Sequence, residues 1–165
     1  MNNSLSPLTP RFVAAASVLV AEDDPTDQFL LRRALEKAGF DVAVHFVSDG
    51  SGVLEFLQRV PSGQLPGLLL LDLKMPGLDG FEVLEWLLQK PEFRPPNVVV
   101  FSSSLDSLDI ARACRLGVDH YLVKPRDPAE LIATVKRLES YWTEPPPMYV
   151  PAAEQSEPAR LATAA

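Results

Sequence analysis

Five short apolar runs, separated by stretches of helical period, constrain this chain more than any other feature. The runs are Val18–Ala21, Val42–Val47, Leu68–Leu71, Val98–Phe101 and Val118–Val123. The first, third and fourth are almost continuously apolar, the pattern of strands covered on both faces. Between the first two runs, Leu31, Ala34, Leu35 and Ala38 recur at i, i+3, i+4 and i+7, with Gly39 placed to end the helix. Val53, Phe56, Leu57 and Val60 repeat that spacing after Asp49. Phe81, Leu84 and Leu88 form a third stripe, with Asp79 as its cap and Glu82 three residues on. Ile110, Ala113 and Cys114 form a fourth, with Ser103 or Ser104 as cap. The fifth begins with Asp127, Pro128 and Glu130 and carries Leu131, Val135, Leu138 and Trp142 on one face. Five strand–helix units with short, right-handed connections predict an α/β fold, one doubly wound parallel sheet with helices on both faces.

The unit spans residues 17–142, preceded by a loose leader, 1–16, and followed by a Pro-rich extension, 143–165. Five of the 16 prolines lie in that extension. The apolar segment FVAAASVLVA at 12–21 has the look of a signal-peptide centre, but only Arg11 leads it, and cleavage there would cut the first strand. The net charge of −7 argues against binding nucleic acid through a basic surface. The longest apolar runs, about ten residues, are too short to span a bilayer. A single cysteine, Cys114, rules out an internal disulfide and a cysteine-based zinc site, and suits a reducing cytoplasm.

Ligands of open α/β sheets bind outside the carboxyl ends of the strands. The residues just past each run are therefore informative: Glu22, Asp23 and Asp24 after the first, Ser48 and Asp49 after the second, Asp72 after the third, Ser102–Ser104 after the fourth, and Lys124 with Pro125 after the fifth. Adjacent first and third strands would bring Asp23, Asp24 and Asp72 together. At an effective dielectric of about 20, two such charges 4 Å apart repel by roughly 4 kcal/mol. Either some are protonated or a cation sits among them, and an all-oxygen set suits Mg²⁺. The plainer alternative is that Asp23 and Asp24 cap the helix beginning at Pro25. It loses ground because an acid, a hydroxyl and a lysine end three other strands.

The segments VLVAEDDPTDQFLLRRAL, LLLLDLKMPGLDGFEVLEWL, VVVFSSS and DHYLVKPRDPAEL together resemble the receiver domain of a two-component response regulator over residues 17–142. The resemblance implies a flavodoxin-like five-stranded sheet of order 2-1-3-4-5, phosphorylated on an aspartate by a sensor histidine kinase. Asp72 matches the phosphoacceptor, Asp23 and Asp24 the acidic pair that binds Mg²⁺, and the Lys74 carbonyl a further ligand. Lys124 matches the lysine that pairs with the acyl phosphate. Ser102 matches the hydroxyl that binds the phosphoryl group, and Tyr121 the switch aromatic, with static packing as its plainer role. The Lys124–Pro125 bond is cis in that family. Such a domain catalyses only its own phosphorylation and dephosphorylation.

His45 and His120 have no partner arrangement for catalysis or metal. A phosphatase with an aspartate nucleophile of the haloacid-dehalogenase type wants a second aspartate two residues after the first, where Lys74 stands. A pseudo-receiver that binds partners without phosphorylation would not need the acceptor, acidic pair and lysine together. The regions AEDDPTDQFLL and DLKMPGLDG are similar to those of single-domain regulators that accompany bacterial phytochrome kinases. That likeness implies a bacteriophytochrome as kinase and a homodimer through the fourth and fifth helices and the C-terminal arm, with output through protein contacts.

Overall fold

The computed structural model describes residues 17–61 and 64–138. The leader, Tyr141, Trp142 and the extension from 143 onward lie outside the described residues. The elements are β1 (Ser17–Ala21), α1 (Pro25–Ala38), β2 (Ala43–Val47), α2 (Gly50–Arg59), β3 (Leu68–Leu71), α3 (Gly80–Gln89), β4 (Asn97–Ser102), α4 (Ser107–Arg115), β5 (His120–Val123) and α5 (Pro128–Leu138), with a 3₁₀ turn at Pro91–Phe93. All strands are parallel, in the order β2-β1-β3-β4-β5. The family-implied order is therefore the observed one.

Strand alternation sorts the core into two layers. Leu19, Ala21, Leu69, Leu71, Val98 and Val100 face Val53 and Leu57 of α2, Phe81, Leu84 and Leu87 of α3, and Ala113 of α4. Val18, Val20, Leu68, Leu70, Val99 and Phe101 face Leu31, Ala34 and Leu35 of α1 and Val135 and Leu138 of α5. The central strands β1, β3 and β4 are buried almost throughout, as their unbroken apolar runs require, whereas the edge strands β2 and β5 are only half covered.

The helix signals hold with two corrections. Asp49 caps α2 by accepting the Gly52 N–H at 2.7 Å, and Asp79 and Glu82 form a reciprocal box at the start of α3. Asp127 accepts the Glu130 N–H at 3.0 Å. Gly39 ends α1 at φ 81°, a left-handed conformation that a side chain would strain. In α3, however, Leu88 is 58% exposed, and the buried face is Phe81, Val83, Leu84 and Leu87. This helix packs a wider stripe than a strict i, i+3, i+7 reading allows. The cap of α4 is Asp106, which accepts the Leu108 N–H at 2.9 Å, rather than Ser103 or Ser104. β4 extends to Ser102, and the loop needs the next few residues before the helix can begin. Among the described residues there is no cis peptide bond, so Lys124–Pro125 is trans, the state an X–Pro bond prefers by about 0.5–1 kcal/mol.

Gly80 decides how closely α3 approaches the end of β3 that carries Asp72. A Cβ there would lie 2.3 Å from the Asp72 carbonyl oxygen and 2.7 Å from the Leu73 Cα. Both are backbone atoms, and the Gly80 N–H also donates to the Leu73 carbonyl at 3.0 Å. Gly80→Ala is expected to lower the unfolding free energy by about 1–3 kcal/mol, as overpacking does, read as a shifted denaturant midpoint. An unchanged midpoint would show that α3 can slide away without disturbing the Asp72 segment.

Candidate functional site

The site is built by strand register. Ala21 of β1 pairs with Leu71 of β3, so the next residue on each strand, Glu22 and Asp72, emerge side by side at the carboxyl edge. The Asp72 N–H donates to the Ala21 carbonyl and the Glu22 N–H to the Val47 carbonyl, each at 3.0 Å, which holds both in line with the sheet. Ser102 pairs with Val123, and the Lys124 N–H donates to the Ser102 carbonyl at 2.9 Å. The lysine thus leaves the sheet two strands away and bends back over the rim.

Lys124 is the hub. Its Nζ donates to Glu22 Oε2 at 2.5 Å, to Asp72 Oδ2 at 2.9 Å and to Asp27 Oδ2 at 3.1 Å. The Lys124, Glu22 and Asp72 side chains are only 13%, 3% and 8% exposed. Burial by itself would depress the lysine's proton affinity, but hydrogen bonds to Asp72 and Glu22 outweigh it and hold the ammonium well above its usual range. For Glu22 the balance goes the other way: burial raises its carboxyl above the ordinary value despite the bond to Lys124. The other oxygen of Asp72, Oδ1, accepts the Lys74 N–H at 3.2 Å.

One carboxylate oxygen from each of Glu22, Asp23 and Asp72 lies within 4.8 Å of the other two. At an effective dielectric of about 20, charges that close repel by roughly 3–4 kcal/mol per pair. Lys124 offsets part of this, and the remaining negative charge with its oxygen-only donors fits a small, hard divalent cation.

Here the structure corrects the sequence reading. The carboxylates gathered beside Asp72 are those of Glu22 and Asp23, and Asp24 is not among them. Asp24 Oδ1 instead accepts the N–H groups of Thr26 at 2.7 Å and Asp27 at 3.1 Å, making it the N-cap of α1. Those bonds hold its carboxyl below the usual range. Of the two aspartates, it is Asp24 that takes the cap role. The available signal was position: β1 ends at Ala21, so the first two residues past the strand are Glu22 and Asp23, while Asp24 precedes a proline at the first helical position.

Ser102 is fully buried, and its Oγ accepts the Ser104 N–H at 3.4 Å. Tyr121, from β5, donates its hydroxyl to the Ser104 carbonyl at 3.0 Å, and burial raises its pKa. Ser104, which in the sequence looks like little more than a helix start, is a junction: its Oγ donates to Asp109 at 2.6 Å and accepts the Asp106 N–H at 3.3 Å. Sequence reasoning also missed Asp27, since nothing in the linear spacing places the first turn of α1 beside the end of β5. His45 packs its ring on Phe56, and neither histidine belongs to the carboxylate cluster. No helix among the described residues is long and apolar enough to cross a membrane.

Comparison with known proteins agrees with this geometry. Residues 18–136 match the family described as "Response regulator receiver domain". Response regulator Rcp1 of Synechocystis is 33% identical over 130 residues, covering 77% of this chain and 88% of Rcp1. The Mn²⁺-bound form of Rcp1 superposes with a TM-score of 0.68 at 32% identity, over 79% of this chain and 96% of Rcp1. The phosphorylated cyanobacterial phytochrome response regulator RcpA gives a TM-score of 0.70 at 31% identity, over 79% of this chain and 95% of RcpA. The bacteriophytochrome response regulator AtBRR gives 0.61 at 33% identity, over 74% of this chain and 91% of AtBRR. With its sheet order, its rim of acids and its lysine, this chain belongs to the response regulator receiver domain family, and within it is similar to the phytochrome-associated regulators.

Proposed function

We propose that the chain accepts a phosphoryl group on Asp72 from the phosphohistidine of a sensor histidine kinase. The observation that carries this reading is the buried Asp72 carboxylate, gripped through one oxygen by Lys124 and lying within the Glu22–Asp23 cluster. A carboxylate oxygen is itself a nucleophile and attacks without a general base. An Asp72 oxygen bonds to phosphorus as the phosphorus–nitrogen bond of the histidine breaks, and the imidazole nitrogen keeps the electron pair. Glu22, Asp23, Asp72 and the Lys74 carbonyl would hold Mg²⁺, which supplies charge neutralisation at the phosphoryl oxygens. Lys124 then pairs with the phosphoryl group, and the Ser102 hydroxyl donates to it.

Ser102 and Tyr121 carry the change to α4. Both touch Ser104, and Ser104 binds Asp109 within the first turn of that helix, so a shift at Ser102 moves the helix start. The names of RcpA and AtBRR support a bacteriophytochrome as the kinase. Output through protein contacts in the cytoplasm and a homodimer through α4, α5 and the arm at 143–151 belong to the same proposal. Leu105 and Leu108, each 75% exposed around the start of α4, provide apolar area for such a contact. Truncation after Trp142 is expected to give a monomer by light scattering, with the phosphorylation chemistry retained. Full-length protein that is monomeric at tens of micromolar would remove the arm from this role.

Incubation with acetyl phosphate and Mg²⁺, followed by intact mass, tests the central reading: one phosphoryl group is expected per chain. Turnover of unrelated phosphate monoesters would instead favour an aspartate-nucleophile phosphatase, and no gain of mass would favour a pseudo-receiver.

A further inference from the structure

The first turn of α1 is folded back onto the rim. With Asp24 holding the N–H groups of Thr26 and Asp27, the Asp27 carboxylate reaches Lys124 Nζ at 3.1 Å while its side chain stays 45% exposed. Next to it, Gln28 Nε2 donates to the Glu22 carbonyl at 2.6 Å and to Ser48 Oγ at 3.3 Å, pinning the same turn to the loops after β1 and β2. An ammonium has three N–H donors. Glu22, Asp72 and Asp27 each accept from the lysine. The three acceptors have different fates once phosphoryl transfer begins. Asp72 loses its charge when one oxygen bonds to phosphorus, and Glu22 belongs to the cation cluster. Asp27 lies outside that cluster, so neither event consumes its carboxylate.

We propose that Asp27 is a positioning residue for phosphoryl transfer, holding the Lys124 ammonium over Asp72 from outside the cation cluster. The inference rests on Asp72 being the acceptor. A lysine is a point charge on a flexible four-carbon stem, and fixing it removes considerable rotamer freedom. An ammonium already held at the rim meets the incoming phosphoryl oxygens with less entropy left to lose. The pair is partly exposed, so its effect is that of a surface ion pair, about two- to fivefold in rate. A purely repulsive role, in which Asp27 hinders an anionic phosphodonor, has the opposite sign: removing the charge would speed the reaction.

The test uses the full-length chain with acetyl phosphate and saturating Mg²⁺. The Asp72 oxygen bonds to phosphorus, the phosphorus–oxygen bond to the acetyl group breaks, and acetate leaves with the electron pair. Initial rates are compared for wild type, Asp27→Ala, Asp27→Asn, Lys124→Ala, the Asp27→Ala/Lys124→Ala double variant and Asp72→Asn. Circular dichroism restricts the comparison to folded protein. If Lys124→Ala does not fold, Lys124→Met, which keeps an unbranched stem and removes the cation, replaces it in the cycle. Asp27→Ala is expected to be about two- to fivefold slower than wild type, with Asp27→Asn between them because its amide oxygen still accepts from Nζ. Without Lys124, the Asp27→Ala effect should vanish. Equal or faster phosphorylation of Asp27→Ala, or a full-sized effect that persists without Lys124, overturns the proposal. Phosphorylation of Asp72→Asn would overturn the acceptor assignment and this inference with it. An inert Asp72→Asn alongside a persistent Asp27 effect overturns the positioning role alone.

Discussion

Asp72→Asn should abolish covalent phosphorylation and leave the fold intact. The substitution removes the charge proposed as the nucleophile but keeps the volume and an oxygen able to accept the Lys74 N–H, the bond now made by Oδ1 at 3.2 Å. The surrounding frame does not depend on the carboxylate: the Asp72 N–H is bound to Ala21 through the backbone, and Leu71 and Leu73 on either side are buried. The measurement is intact mass after incubation with acetyl phosphate and Mg²⁺, with circular dichroism as the folding control. Asp106→Asn and Asp119→Asn should still gain the phosphoryl mass. Asp106 caps α4, and Asp119 accepts from the Val98 N–H at 2.7 Å and from Arg94, so neither side chain is engaged with Asp72. A phosphorylated Asp72→Asn chain would refute the acceptor assignment.

Millimolar Mg²⁺ should raise the melting temperature by several degrees. Only the folded chain gathers Glu22, Asp23 and Asp72, so the cation binds the folded state preferentially. At ten times the dissociation constant this adds about 1.4 kcal/mol, which for a domain of this size corresponds to roughly 3–8 °C. The variants separate the structural assignment from the one read off the sequence. Glu22→Gln and Asp23→Asn should lose most of the response. Asp24→Asn should keep it, because the Asp24 side chain is committed to the N–H groups of Thr26 and Asp27, and asparagine caps a helix equally well. Loss of the Mg²⁺ response in Asp24→Asn, with retention in Glu22→Gln, would restore the Asp23–Asp24 pair and refute the Glu22–Asp23–Asp72 cluster.

The difference between those two assignments shows where linear reasoning stops. A run of three acids after a strand identifies an acidic loop, but which carboxylate points to the rim and which turns back to cap the helix depends on the residue at which the strand ends. Asp27 is a stronger case. It lies 97 residues from Lys124 along the chain, and only the packing of α1 beside α5, with both loops at one sheet edge, brings them together. Ser104 likewise looks like one serine among three until the Tyr121 hydroxyl and Asp109 are seen to converge on it. Leu88 fails for a related reason: apart from the face with Glu82, Glu85 and Gln89, α3 is apolar over a wide arc, so the spacing of its leucines does not say which part of that arc meets the sheet.

The five strand–helix units, the parallel sheet with both faces covered, and the strand ends that carry Asp72, Ser102 and Lys124 are all legible in the order of residues. The causes are local: unbroken apolar runs bury a strand on both faces, amphipathic spacing turns a helix toward them, and caps set most of the boundaries. The partners of those residues emerge only once the chain is folded. Glu22, Asp23 and Asp72 meet because Ala21 and Leu71 are in register, and Lys124 reaches three carboxylates because β5 ends on the same edge as β1 and β3. Charge interactions at a few ångströms depend on these distances and on burial, and neither is carried by the order of residues along the chain.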